Sequence, residues 1–190
     1  MDNHVILTHC NLEGFDVDDI YAGDPSWMEY RMGVFEKYTL ASLSNQTDPD
    51  FHLLMFCHTN TPEPYKEQLL NLEKKFPFLK LMWDQTHFTG LGGTVPSFYK
   101  SIKETYLEVR KNNSNEIICS RLGSDDMAET RFNEYVKLLM TQNITISLAG
   151  GLYWDIKNNE FLNSMFPTGP FISAKSTLID FKGDMREISH

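Results

Sequence analysis

The sequence predicts an α/β fold: an open, mostly parallel sheet with helices on both faces and a shorter β-rich part towards the carboxyl-terminal end. Three observations carry this. Over the first three-quarters of the chain, short apolar runs alternate four times with segments of helical period, the signature of strand–helix units. After Gln142 the texture changes to short apolar runs separated by Gly, Asn and Pro, which suggest strands or hairpins. No repeat, low-complexity stretch or linker divides the 190 residues, so a single domain is expected.

His4-Val5-Ile6-Leu7-Thr8 reads as a buried first strand, followed by His9-Cys10-Asn11 and an acidic loop to Gly23. Asp24-Pro25 pairs a capping side chain with proline at the first helical position. Trp27, Arg31, Val34, Tyr38 and Ala41 then recur at helical spacing and predict the inward face, until Asn45 to Pro49 supply turn chemistry. Phe51 to Cys57 is a second buried strand. Thr61-Pro62-Glu63 opens a second helix with Tyr65, Leu69, Leu72 and Phe76 inside, and Pro77 stops it. Phe78 to Met82 is the third strand. The glycine-rich loop Thr89 to Thr94 leads to a helix carrying Phe98, Ile102, Tyr106 and Val109. Ile117-Ile118-Cys119 is the fourth strand, and the next helix is expected to bury Phe132, Val136 and Leu139. Ile144 to Leu148, Leu152 to Trp154, Glu160 to Met165 and Phe171 to Ser173 are the later strands.

The composition excludes several classes. A net charge of -9 disfavours a nucleic-acid binder, which needs a basic face for phosphates. No apolar run approaches a membrane span, and the first ten residues lack a signal-peptide pattern, so a soluble, intracellular (cytoplasmic) chain is expected. Cys10, Cys57 and Cys119 show no zinc-type spacing. A zinc site from His9, Cys10, Cys57 and His58 is disfavoured further, because adjacent strand residues point to opposite faces. Nothing marks a cysteine as an activated nucleophile.

In such a sheet, ligands collect outside the carboxyl ends of the strands. Those ends carry His9-Cys10-Asn11, Cys57-His58, the Gly92-Gly93 loop and the acidic turn Asp125-Asp126. Adjacent carboxylates need solvent, donors or a cation, and on a turn at a strand end they suit a hard divalent ion with its phosphates. The plainer reading is that Asp126 caps the following helix, with Glu129 completing a capping box. The glycine loop lacks the Lys-Ser/Thr of a phosphate loop and is not a dinucleotide fingerprint. It reads equally as a surface loop or a backbone anion contact.

The ordered set of motifs resembles the GT-A fold glycosyltransferases, Rossmann-like proteins that use nucleotide-diphosphate sugars, and within them the putative rhamnosyl transferase group. His4 to Asn11 resembles the opening strand ending in asparagine, and Leu43 to Phe51 the turn with Gln46-Thr47 before the second strand. Thr61 to Pro64 is similar to the next helix start, and Gly92 to Lys100 to the donor-side glycine loop with its basic residue. Ser120 to Asp126 sits where the family has its Asp-x-Asp turn, and Phe166 to Leu178 resembles a later glycine-containing strand and helix.

The resemblance implies transfer of a sugar from a nucleotide-diphosphate donor to a glycan or other small acceptor. It implies Mg²⁺ or Mn²⁺ at Asp125 and Asp126, with Asn11, His58, Gly92, Gly93, Lys100 and Arg121 on the donor side. Residues 1–142 would be the nucleotide-binding part and 143–190 a shortened, β-rich acceptor-side part. Three departures stand out. The second strand ends in Cys57-His58 without the family's base-recognising aspartate, and Gly123 replaces the first acid of the turn. The family's catalytic carboxylate also lies well beyond the segment that ends at Leu178. Asp155 and Asp180 are the remaining carboxylates expected to serve as base. An alternative is a degenerate relative that binds nucleotide or glycan without turnover. A nucleotidyltransferase would want a glycine-rich basic loop after the first strand, which His9 to Asp19 lacks.

Overall fold

The computed structural model describes residues 3–11, 24–84, 103–108, 116–141, 145–148, 150–155, 157–165 and 171–177. Their strands are β1 (Asn3–His9), β2 (His52–His58), β3 (Leu79–Asp84), β4 (Glu116–Arg121), β5 (Thr145–Leu148), β6 (Gly150–Asp155), β7 (Glu160–Met165) and β8 (Phe171–Thr177). Helix α1 is continuous through an α part (Pro25–Val34), a π part (Phe35–Leu40) and a final α turn (Ala41–Ser44). Helix α2 is Glu63–Lys75, residues 103–108 form α3, and α4 is Phe132–Met140.

Six strands make one sheet in the order β3-β2-β1-β4-β8-β5, with β6 and β7 paired as a separate hairpin. β3, β2, β1 and β4 run parallel, and β8 lies antiparallel between β4 and β5. The predicted open, mostly parallel sheet is therefore found. Alternation along each strand sorts its apolar residues into two cores. Ile6, Leu53, Met55, Cys57 and Ile118 face α1, α2 and α4. Val5, Leu7, Leu54, Phe56, Ile117 and Cys119 face Tyr106 of α3. Helices thus cover both faces.

The α1 entry is as expected: Asp24 Oδ1 accepts from the backbone N–H of Ser26 and Trp27 at 2.8 and 3.0 Å. Its buried face is not. Met28, Met32, Phe35, Thr39, Leu40 and Leu43 are inside, whereas Trp27, Arg31, Val34 and Tyr38 are only partly buried and Ala41 is exposed. The inward stripe lies one residue further on, and the wider π turn shifts its phase from Phe35 to Thr39 and Leu40. In α4 the buried residues are Phe132, Asn133, Val136 and Met140, so Leu139 is replaced by Met140, one turn beyond Val136. In α2 Leu69 and Leu72 are buried, with Tyr65 and Phe76 packed against them, as predicted.

A chain of polar side chains crosses the sheet interior. Asn133 Nδ2 donates to the Asp48 carbonyl at 2.7 Å, which leaves its Oδ1 to accept from His4 Nδ1 at 2.5 Å. His4 Nε2 must then accept from Ser120 Oγ, 2.6 Å away, and Ser120 accepts in turn from Ser173 Oγ at 2.6 Å. Four elements (α4, β1, β4 and β8) are tied by groups that each have a partner. Lys137 adds an ion pair to Asp48 at 2.9 Å.

Candidate active site

In an open α/β sheet the ligand crevice opens where the strand order reverses. Here the chain builds outward from β1 to β2 and β3, then returns to place β4 on the other side of β1. The switch point lies between β1 and β4. His9-Cys10-Asn11 leave it on one side and the acidic turn leaves it on the other.

The turn is fixed from three directions. Leu122 N–H donates to the Leu7 carbonyl at 3.0 Å, carrying the β1–β4 pairing one step beyond the strand. Gly123 N–H donates to Asp126 Oδ2 at 3.1 Å, and Asp126 N–H donates back to the Gly123 carbonyl at 3.2 Å. Thr39, in the π part of α1, donates its hydroxyl to the Ser124 carbonyl at 3.0 Å. The loop beyond is pinned to the end of the same helix: Ser42 Oγ accepts from Ala128 N–H at 3.1 Å, and Gln46 Nε2 donates to the Glu129 carbonyl at 2.8 Å.

This geometry corrects one reading and adds to another. Asp126 does not cap a helix, since α4 begins at Phe132, six residues later, with Arg131 at its cap. Asp126 instead folds back over Gly123. Nor is Gly123 merely a lost acid. A Cβ there would lie 2.4 Å from Asp126 Oδ2 and 3.0 Å from Asp125 Oδ1, so the Asp126 carboxylate occupies the space that a side chain at 123 would need.

Burial first, then the neighbouring Asp125 charge, pushes the Asp126 carboxyl above its ordinary range, against the Gly123 hydrogen bond and the positive Arg31 and Arg121. Asp125 is more exposed and pairs with Arg31, Nη1 to Oδ2 at 2.6 Å. The Arg31 guanidinium lies over the Trp27 indole, 5.6 Å from its centroid. His9 packs on Phe56, with ring centroids 5.8 Å apart. Burial, then Arg121 and Arg31, lowers its pKa to about 4, so the imidazole beside the crevice is neutral.

Asn11 and His58 are brought together at the adjoining strand ends. Asn11 Oδ1 accepts from His58 N–H at 3.0 Å and Asn11 Nδ2 donates to Thr61 Oγ1 at 2.9 Å. His58 Nδ1 accepts from Asn60 N–H at 3.0 Å, which places the ring proton on Nε2. Both side chains are buried and fix the loop ends of β1 and β2. Arg121 closes β4 beside the turn. Asp155 ends β6 in the separate two-stranded hairpin and holds the β6–β7 turn. Its Oδ1 accepts from Lys157 and Asn158 N–H at 3.0 and 3.2 Å, and its Oδ2 from Asn158 Nδ2 at 2.7 Å. Gly92, Gly93, Lys100 and Asp180 lie outside the described residues.

The sequence reading placed His9 at this edge but missed Arg31 and Thr39 as parts of the site. The available signal was Arg31 itself, a cation among apolar residues on a helix face predicted to point inward.

The residues present fit a hard divalent ion. Two carboxylates sit side by side, and Mg²⁺ is commonly held by one or two carboxylates together with substrate phosphates. The Ser124 hydroxyl between Gly123 and Asp125 is buried with no hydrogen-bond partner, a polar atom left over at the same turn. Among the described residues no group of three or more His, Cys, Asp or Glu is gathered to hold a metal by protein ligands alone.

A family model described as "Putative rhamnosyl transferase" matches residues 16–190. No curated protein matches the sequence. Among solved structures, S. aureus TarS 1-349 aligns at 15% identity and a TM-score of 0.42, covering 77% of this chain and 35% of that one. The same protein in complex with UDP gives 15% identity, a TM-score of 0.43 and coverages of 77% and 35%. Its complex with UDP-GlcNAc gives 15%, 0.43, 77% and 34%. The chain therefore spans about a third of the length of the structures it resembles. Among the described residues no helix is long and apolar enough to cross a membrane.

Proposed function

Because the chain belongs to the putative rhamnosyl transferase family, we propose that it is a glycosyltransferase taking a sugar from a nucleotide-diphosphate donor. The observation that carries the reading is the carboxylate pair Asp125-Asp126, held on a braced turn at the β1–β4 switch point. That is where an α/β sheet presents a ligand site.

In the reaction proposed, an acceptor oxygen forms a bond to the anomeric carbon as the bond from that carbon to the donor phosphate breaks. The electron pair leaves with the nucleoside diphosphate. Mg²⁺ or Mn²⁺, when bound at Asp125 and Asp126, would offset the charge gathering on that leaving group. Arg121 faces the same charge from the end of β4. Asn11 and His58 shape the floor under the nucleoside by locking the ends of β1 and β2, and neutral His9 adds no charge there. Gly92, Gly93 and Lys100 would act from the donor-side loop. The acceptor would be a glycan or other small hydroxyl compound. The acceptor hydroxyl would give up its proton to solvent or to a carboxylate; Asp180 is the candidate for that role, since both oxygens of Asp155 already serve a hairpin turn.

Calorimetry with a panel of nucleoside diphosphates and Mn²⁺ tests the reading. Wild type is expected to bind at least one of them. Asp125→Ala and Asp126→Ala are each expected to weaken binding at least tenfold; unchanged binding in both would remove the metal site from this turn.

One observation favours a second reading, a relative that binds donor or glycan without turnover. Asp155 is committed to a hairpin turn with both oxygens. A donor-hydrolysis assay separates the two. Slow, metal-dependent release of nucleoside diphosphate would count against binding alone.

A further inference from the structure

Arg31 is the residue that sequence and family resemblance left without a role. Its guanidinium reaches Asp125 at 2.6 Å, and its side chain retains about a fifth of its exposure while that of Asp125 retains half. The Asp125 end of the pair is thus open to solvent, where a ligand can reach it. One Arg31 nitrogen, Nε, is buried with no hydrogen-bond partner, so Asp125 uses only part of the guanidinium fork. Trp27 supports the guanidinium from one side. The helix beneath is anchored at both ends: the Tyr65 hydroxyl donates to the Pro25 carbonyl at 2.7 Å, and Thr39 donates to Ser124. These two bonds hold the helix independently of the Arg31–Asp125 pair.

The charges make the point sharper. Asp125 and Asp126 are balanced by Arg31 and Arg121, both of which act on Asp126. A divalent ion placed on Asp125 would share its carboxylate with a guanidinium already in contact, and like charges at such a distance repel strongly. The donor's diphosphate brings the negative charge that the guanidinium then lacks, and a planar fork suits phosphate oxygens. We infer that Arg31 is an exchangeable counter-ion, neutralising Asp125 in the empty site and passing to the donor's phosphates when Asp125 turns to the metal ion. This rests on the donor-site reading above. It makes metal and donor binding mutually dependent: the ion alone must evict Arg31, whereas ion and diphosphate together leave every charge partnered.

The test titrates Mn²⁺ alone, then uridine and thymidine diphosphate in saturating Mn²⁺, into wild type, Arg31→Gln and Arg31→Lys. Circular dichroism confirms the fold of each. Arg31→Gln is expected to bind Mn²⁺ alone about three- to tenfold more tightly, and the nucleoside diphosphate about tenfold more weakly. Arg31→Lys keeps the charge but loses the fork. It should bind Mn²⁺ alone as wild type does and the nucleoside diphosphate about threefold more weakly. Equal Mn²⁺ affinity in wild type and Arg31→Gln overturns the exchange and leaves the donor site standing. If Arg31→Gln does not fold, undiminished nucleotide affinity in Arg31→Lys overturns it instead. Wild type that binds no nucleoside diphosphate with Mn²⁺ overturns the donor-site reading, and the exchange with it.

Discussion

Thr39 and Ser124 are 85 residues apart in sequence, and the hydroxyl of one donates to the backbone carbonyl of the other at 3.0 Å inside the protein. This bond joins the π part of α1 to the acidic turn that carries Asp125 and Asp126. π turns widen a helix locally and present side chains that a regular helix would bury elsewhere. Thr39→Val keeps the shape and removes the donor, leaving a buried carbonyl unpaired. The expected cost is about 1–2 kcal/mol in urea unfolding, with a several-fold loss of Mn²⁺ affinity. Reduced stability with undiminished metal binding would mean that the turn keeps its shape unaided.

Gly123 makes a more selective prediction. The atom that an added Cβ would strike is the end of the Asp126 side chain, which can swing away, rather than backbone. Gly123→Ala should therefore cost only about 1 kcal/mol while displacing the carboxylate from the Gly123 N–H. Mn²⁺ binding should weaken more than the melting temperature suggests. Gly123→Asp should behave the same way, and should not gain metal affinity by restoring the family's first acid. Tighter Mn²⁺ binding in that variant would refute the idea that Asp126 has taken over the space.

The buried chain Asn133–His4–Ser120–Ser173 predicts the acid limb of stability. Burial, partly offset by the Asn133 hydrogen bond, lowers the His4 pKa from 6.5 to about 4. The folded protein holds His4 neutral while the unfolded chain takes up a proton below its ordinary value, so protons favour the unfolded state. The contribution is complete above about pH 6.5 and is lost as pH falls towards 4. Because a unit of pKa is worth about 1.4 kcal/mol, His4 alone should lower stability by about 2 kcal/mol between pH 7.5 and pH 5. Urea unfolding across that range checks it, with His4→Asn expected to flatten the slope. A pH-independent difference between wild type and variant would show that His4 is not held neutral.

Much of this fold was legible in the sequence, and the reasons are physical. Val5 to Leu7, Leu53 to Phe56 and Ile117 to Cys119 are continuous apolar runs because parallel strands are buried on both faces. The Asp24-Pro25 cap could be read because capping is local. The inward face of α1 could not, because the π turn changes the helical period and no side chain in Phe35–Leu40 announces it. The acidic turn was found by its composition, but its internal geometry was not. Asp126 folding onto Gly123 is a three-residue contact indistinguishable, in sequence, from a helix cap. Arg31 meeting Asp125 is a contact between elements 94 positions apart, which no local pattern encodes.

Asp155 gives a prediction that separates turn building from chemistry. Hydrogen bonds from the Asn158 side chain and from the turn backbone hold its carboxyl below the usual carboxylate range. That suits an acceptor which must stay charged to close a turn. Asp155→Asn retains one acceptor oxygen and should leave nucleoside diphosphate affinity unchanged. If donor hydrolysis falls by more than a hundredfold in Asp155→Asn while the hairpin survives, proton removal belongs to Asp155 after all.

Asn11 carries the last prediction, because it does two jobs with one amide. Its oxygen accepts from His58 N–H and its nitrogen donates to Thr61, which itself donates to the His58 carbonyl at 2.6 Å. The end of β1 is thus bolted to the turn that follows β2, in the place where the family's aspartate is missing. Asn11→Ala leaves the buried His58 N–H unpaired and should cost about 1–3 kcal/mol. Asn11→Asp keeps the acceptor for that N–H, and with it the link between the two loops, but its buried carboxylate competes for the Thr61 hydroxyl that serves the His58 carbonyl, so its cost in stability should be comparable. The two variants then divide structure from binding. If Asn11 only bolts the loops, nucleoside diphosphate affinity should fall in Asn11→Ala and recover in Asn11→Asp. If its amide also meets the donor, the added negative charge should weaken binding in Asn11→Asp more than in Asn11→Ala, despite the retained acceptor. Calorimetry alongside urea unfolding distinguishes these, and the buried geometry predicts the first result.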